Sequence, residues 1–197
     1  MSFDTFDQTR MHALKDYAAL EYELCRLLME VMQVDAPIAS AVFYQISNTR
    51  TRYAIIGSIL DIKHRDTFAK AWERLERWLG PRDTARNHIV HWGQDFLTMV
   101  IPTGDDTAPT VHLSPYLSNN VRKWRASANS GLKYSEEDIR DEAFSVRVMT
   151  HIINRYWNTI AEPEHWPWTD IFQSPITDQT PELFLQRLND AGYSVLA

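Results

Sequence analysis

Apolar residues recur every three or four positions over most of this chain, the repeat of an α-helix that buries one face. Met11, Leu14, Ala18, Cys25, Leu28 and Met32 mark a long first helix over residues 8–33. Asp35 followed by Pro37 reads as an N-cap and first turn. The helix they open is expected to run to about Leu60 along Ile38, Val42, Ile46, Tyr53, Ile56 and Leu60, with the polar patch Ser47-Asn48-Thr49-Arg50 in its middle. Asp66 is placed to cap a third helix carrying Phe68, Trp72, Leu75 and Leu79 on one stripe, and Gly80-Pro81 is expected to end it. A fourth helix is then expected from Asp83 or Thr84.

The period changes after Trp92-Gly93. Residues 96–101 and 110–113 are short β-type runs around the turn-rich segment 102–106, which predicts a β-hairpin. Residues 115–134 read as loop, with a helical turn expected at Arg122-Lys123-Trp124-Arg125. Tyr134-Ser135-Glu136-Glu137-Asp138 is a capping-box start for a helix to about Ile160. The rest is rich in Trp and Pro and ends in a short helix over 181–191. The expected fold is mostly α, an up-and-down helical bundle with a small β-hairpin insertion. The bundle domain spans 1–162, with the hairpin near 96–114. The tail, 163–197, is too aromatic to float free and should dock on its own domain or on a partner protein.

Composition narrows the function classes. A chain of 197 residues with 44% hydrophobic residues can bury one ordinary core. The single cysteine, Cys25, leaves no internal disulfide and suits a reducing compartment. The acidic N-terminal stretch has no apolar segment of a signal peptide, and no apolar run nears the roughly 18 residues of a membrane helix. A cytoplasmic protein without a membrane partner is expected. The net charge of −6 argues against a general nucleic-acid binder, and there is no DNA-specific motif. The charge is uneven, however: from Arg50 to His91, nine Lys/Arg outnumber five acids. Either helix faces are simply solvated there, or that segment offers a local anion-binding surface.

The densest chemistry lies in Arg86-Asn87-His88-Ile89-Val90-His91. On an ideal helix Asn87 and His91, four apart, share a face, while Arg86 and His91 lie about 140° apart around the axis and roughly 7.5 Å along it. Arg82 and His88 form a second, looser Arg/His pair; the asparagine after Arg86 and the fixed spacing distinguish the first. Arg86-Asn87-x-x-x-His91 resembles the Arg-(polar)-x-x-x-His signature of the HEPN superfamily, helical nucleotide-binding domains that include metal-independent endoribonucleases of toxin–antitoxin and phage-defence systems. Many of its bacterial members read Arg-Asn-x-x-x-His-Gly; here Trp92 follows the histidine and Gly93 comes one step later. The resemblance implies a homodimer in which two motifs meet, an RNA or nucleotide-phosphate ligand, and no cofactor.

Metal-free RNA cleavage needs one proton taken from a 2′-hydroxyl and one given to the leaving 5′-oxygen, work for which histidine is suited near neutral pH. His91 would be that acid/base, Arg86 would stabilise charge on the phosphorane, and Asn87 would orient the phosphate or His91. Two other readings stay open. In the first, the motif is a structural helix turn with Arg86 paired to an acid and His91 buried, and the chain is a non-catalytic protein-interaction module. In the second, His88-x-x-His91 and Asp61-x-x-His64, with Glu21 or Glu23, hold metal in a helical bundle.

Overall fold

The computed structural model describes residues 3–65, 67–91, 93–101, 110–118 and 133–193. These residues are mostly helical, as a helical bundle requires. In chain order they form α1 (Phe3–Met32), α2 (Ala36–Gln45), α3 (Thr49–Lys63), α4 (Ala69–His91), β1 (Gly93–Ile101), β2 (Thr110–Ser118), β3 (Lys133–Tyr134), α5 (Glu136–Ala161), α6 (Thr169–Phe172) and α7 (Pro181–Tyr193). The chain divides into two compact units. One comprises Met1–Lys15 with Thr84–Ala143, the other Asp16–Asp83 with Phe144–Ala197.

In the second unit the stripe Phe68, Trp72, Leu75 and Leu79 is buried as expected, and so are Cys25, Leu28, Tyr53, Ile56 and Leu60. Ala18 and Ile38 are exposed, however, and Met32, Val42 and Ile46 half-buried, because α1 turns Tyr17, Leu20, Leu24, Leu27 and Val31 inward and α2 turns Ala39 and Phe43 inward. Leu24, Leu28, Phe43, Ile56, Leu60, Leu75 and Leu79 are almost completely inaccessible to solvent. Tyr156 is the aromatic hub: its ring stacks on Trp72, meets Phe68 edge-on, and lies 5.1 Å from Phe172. Its buried hydroxyl donates to the Phe68 carbonyl at 2.7 Å, and loss of water raises its pKa well above the ordinary value. Close approach of α3 to this cluster needs Gly57, since a Cβ there would lie 3.0 Å from Trp72 Nε1. The Trp-rich tail is held within the same unit. Trp168 donates to the Leu188 carbonyl, stacks on Trp166 and receives the Arg155 guanidinium on its face, while Phe172, Phe184 and Leu188 are fully buried.

Two helix boundaries differ from expectation. Residues 35–60 form two helices where one was expected. Asp35 caps α2 by accepting the Ile38 N–H, but at Ile46 the backbone is extended and Asn48 caps a new helix by accepting the Thr51 N–H. The middle polar patch is therefore a break, stabilised by the nearly buried Arg52. Its Nε donates to the Ile46 carbonyl at 2.7 Å, its Nη1 to Glu21 Oε1 at 2.8 Å, and its guanidinium lies over the Phe43 ring. The second correction concerns Gly80-Pro81: α4 runs through both residues to His91, so no helix ends at 80 and no fourth one starts at 83. Pro81 removes one N–H and crowds the Arg77 carbonyl. The next residue, Arg82, donates from Nη1 to the Trp78 carbonyl and from Nη2 to Ser145 Oγ. Tyr17 donates to the Arg82 carbonyl at 2.9 Å and Tyr53 to Asp83 Oδ1 at 3.0 Å. Burial, then the Asp83 charge, pushes the Tyr53 hydroxyl pKa strongly up, so it remains a donor.

In the first unit Phe6, Ala13, Ala85, Ile89, Ile139 and Ala143 are buried. Ser135 and Asp138 close the expected capping box: the Asp138 N–H donates to Ser135 Oγ at 3.1 Å and the Ser135 N–H to Asp138 Oδ2 at 2.7 Å. β1 pairs antiparallel with β2, Gly93 opposite Ser118 and Ile101 opposite Thr110, and β3 joins β2 at Leu117–Tyr134. The expected hairpin turn at 102–106, the Arg122–Arg125 segment and the Asp66 cap lie outside the described residues. Among the described residues no single helix is long and apolar enough to cross a membrane.

Arg52→Ala removes the donor from the Ile46 carbonyl and the cation beside Glu21. The expected loss is about 2 kcal/mol, after discounting for water at Glu21, read as a lowered midpoint in urea unfolding. Glu21→Gln, which keeps an acceptor for Arg52, should lose clearly less.

Candidate functional site

The continuity of α4 decides where the motif stands. Arg86 to His91 occupy the last turns of a 23-residue helix, at its C-terminal end. With about 100° per residue, the buried Ala85 and Ile89 define the inward face. Asn87 and His91 then fall opposite and are exposed, while Arg86, His88 and Val90 lie on the flanks, each half-buried.

Arg86 Nη1 donates to Asn87 Oδ1 at 3.3 Å across an exposed surface. This long bond brings the Arg86 guanidinium to the Asn87 side chain, and Asn87 shares its face with His91. A permanent cation, an amide and an imidazole thus stand at neighbouring positions of one helix end. The carboxylate partner for Arg86 and the buried His91 required of a purely structural turn are not what the described residues provide.

His88 has a different environment. It packs edge-on against Tyr134, ring centroids 5.6 Å apart, with Nδ1 3.4 Å from the tyrosine hydroxyl. Burial lowers its pKa and, with the charges of Glu142 and Asp138, raises that of Tyr134. A neutral imidazole against a protonated phenol is a packing pair that joins α4 to the residue just before α5.

Three residues of the metal reading make other contacts, while Asp61 and His91 are exposed. Glu21 pairs with Arg52. Glu23 Oε2 accepts from Trp157 Nε1 at 2.6 Å and Asn154 Nδ2 at 3.1 Å. His64 lies edge-on to Phe68, its pKa lowered first by burial and then by Lys63. No group of three or more His, Cys, Asp or Glu side chains is placed to share a metal ion among the described residues. Cys25 is buried, 3.7 Å from Ser40 Oγ.

Sequence reading missed Arg10. Its Nε donates to the Ile89 carbonyl at 2.8 Å and its Nη2 to the Val90 carbonyl at 3.0 Å, at the end of the helix that bears the motif. Nothing in the local pattern of α1 distinguishes Arg10 from any half-exposed helical arginine. Tyr134 was read only as the lead-in to a helix cap. No protein-family model, curated protein or solved structure matches the chain.

The depressed His88 pKa fixes a pH dependence. Below 6.5, the ordinary value, the unfolded chain takes up a proton that folded His88 resists, so stability is full above that pH. It declines as pH falls from 6.5 to the lower folded pKa. The drop in Tm between pH 7 and 5 should be smaller in His88→Gln than in wild type, measured by circular dichroism. An equal drop in both would show that His88 does not contribute.

Proposed function

We propose that the chain is a HEPN-like helical domain with a β-hairpin insertion, acting as a metal-independent endoribonuclease of a defence or toxin type. The observation that carries this reading is the shared outward face of α4. There Arg86 is drawn to Asn87, and His91 is exposed at the helix end beside them. In the proposed reaction His91 takes the proton of a 2′-hydroxyl as that oxygen attacks the adjacent phosphorus. The 5′-oxygen leaves with a proton from a second acid, and a 2′,3′-cyclic phosphate forms. Arg86 binds the non-bridging oxygens, where charge accumulates, and Asn87 holds a phosphate oxygen or the imidazole. One histidine supplies one proton-transfer group. The second would be His91 of another copy, which is the chemical reason for proposing a homodimer.

The alternative of a non-catalytic interaction module draws on the Trp-rich tail. That reading is weakened where Trp168 and Phe184 are engaged within their own unit.

Oligoribonucleotide cleavage in EDTA tests the proposal. Wild type should cleave to a 2′,3′-cyclic phosphate end. His91→Ala should lose about 10²- to 10⁴-fold in rate, and Arg86→Ala about 10²-fold or more, with both variants as stable as wild type. A folded wild type without cleavage, or undiminished cleavage by folded His91→Ala, refutes the assignment.

A further inference from the structure

The last carbonyls of an α-helix lack intrahelical donors and carry the negative end of the helix dipole. That is an adverse place for a phosphate, yet the motif stands there. At the end of α4 the carbonyls of Ile89 and Val90, the two residues before His91, receive both prongs of the Arg10 guanidinium, at 2.8 and 3.0 Å. Arg10 lies 79 positions earlier in the chain than Ile89. The adjacent Thr9 donates to Glu136 Oε1 at 3.1 Å, and Glu136, nearly buried, also accepts from Arg140. Neighbouring residues of α1 thus tie down both the end of α4 and the start of α5.

We infer that Arg10 is the positioning residue of the candidate site: its two-pronged bond fixes the terminal turn carrying His91, and its charge offsets the negative helix end facing the substrate phosphate. The substrate half of this inference rests on the nuclease reading; the clamp on the helix end does not. Terminal helix turns fray readily, and displacement of an acid/base group by about 1 Å costs on the order of 10²-fold in rate. A planar fork matched to successive carbonyls restrains the turn as a single ammonium does not. A lysine would restore the charge without the fork, which separates the two effects.

The experiment compares full-length wild type, Arg10→Lys and Arg10→Ala by amide hydrogen exchange and by oligoribonucleotide cleavage in EDTA. In Arg10→Ala, exchange at the amides of 88–91 should rise about tenfold with 70–79 unchanged, kcat should fall and KM should rise. Arg10→Lys should recover KM but not kcat; if the alanine variant fails to fold, the lysine variant carries the comparison through kcat and exchange. Unchanged exchange at 88–91 overturns the clamp. Raised exchange with unchanged kcat and KM overturns the positioning role. Raised exchange in a protein whose wild type leaves RNA intact supports the clamp and refutes the nuclease reading instead.

Discussion

Helix α4 runs through its own proline, and side-chain hydrogen bonds cluster on the two residues that follow it. Pro81 has no N–H, and its ring presses on the Arg77 carbonyl. The next residue, Arg82, reaches back to the Trp78 carbonyl and out to Ser145, while Tyr17 donates to the Arg82 carbonyl and Tyr53 to the Asp83 carboxylate. By local signals a Gly-Pro step is a natural stop. The helix nevertheless continues to His91, and the polar motif sits at a C-terminus and not in the first turn of a new helix.

That placement sets the electrostatics of the candidate site. A helix N-terminus would have offered free N–H groups to an anion; a C-terminus offers carbonyls and negative potential. Cations must come from side chains, and Arg86 and Arg10 supply them in different ways. Arg86 leans on Asn87 at the surface, whereas Arg10 is spent on the helix end itself. The neighbouring His88 is packed against Tyr134, and burial lowers its pKa. Two histidines three residues apart thus have different surroundings, His88 half-buried on a flank of the helix and His91 exposed on its outward face.

Much of this was legible in the chain. The stripe Phe68-Trp72-Leu75-Leu79 is buried as its spacing required, whereas of the stripe read along α1 only Cys25 and Leu28 are buried, and Met11 and Ala18 are exposed. Asp35 and the Ser135/Asp138 box cap the helices they were expected to cap, since those bonds span three residues and need nothing else. Asn87 and His91 face outward because Ala85 and Ile89 face inward, a consequence of periodicity alone.

The remainder depended on distant partners. The break at Ile46 is held by Arg52 and Glu21, 31 positions apart, so an unbroken apolar period across 38–60 could not exclude it. Gly80-Pro81 is a local stop signal that the folded chain overrides, and Tyr17, Tyr53 and Ser145 bond to the residues just after it. Arg10 is an unremarkable residue of α1 until the fold brings it to Ile89 and Val90. Sequence by itself determined that the chain is mostly helical, the caps at Asp35 and Ser135 and the inward stripe of Phe68 to Leu79, because propensity, capping and periodicity act over a few residues. Only tertiary structure decided where helices stop and what holds the motif, because a backbone group is satisfied by whichever donor the folded chain brings within about 3 Å.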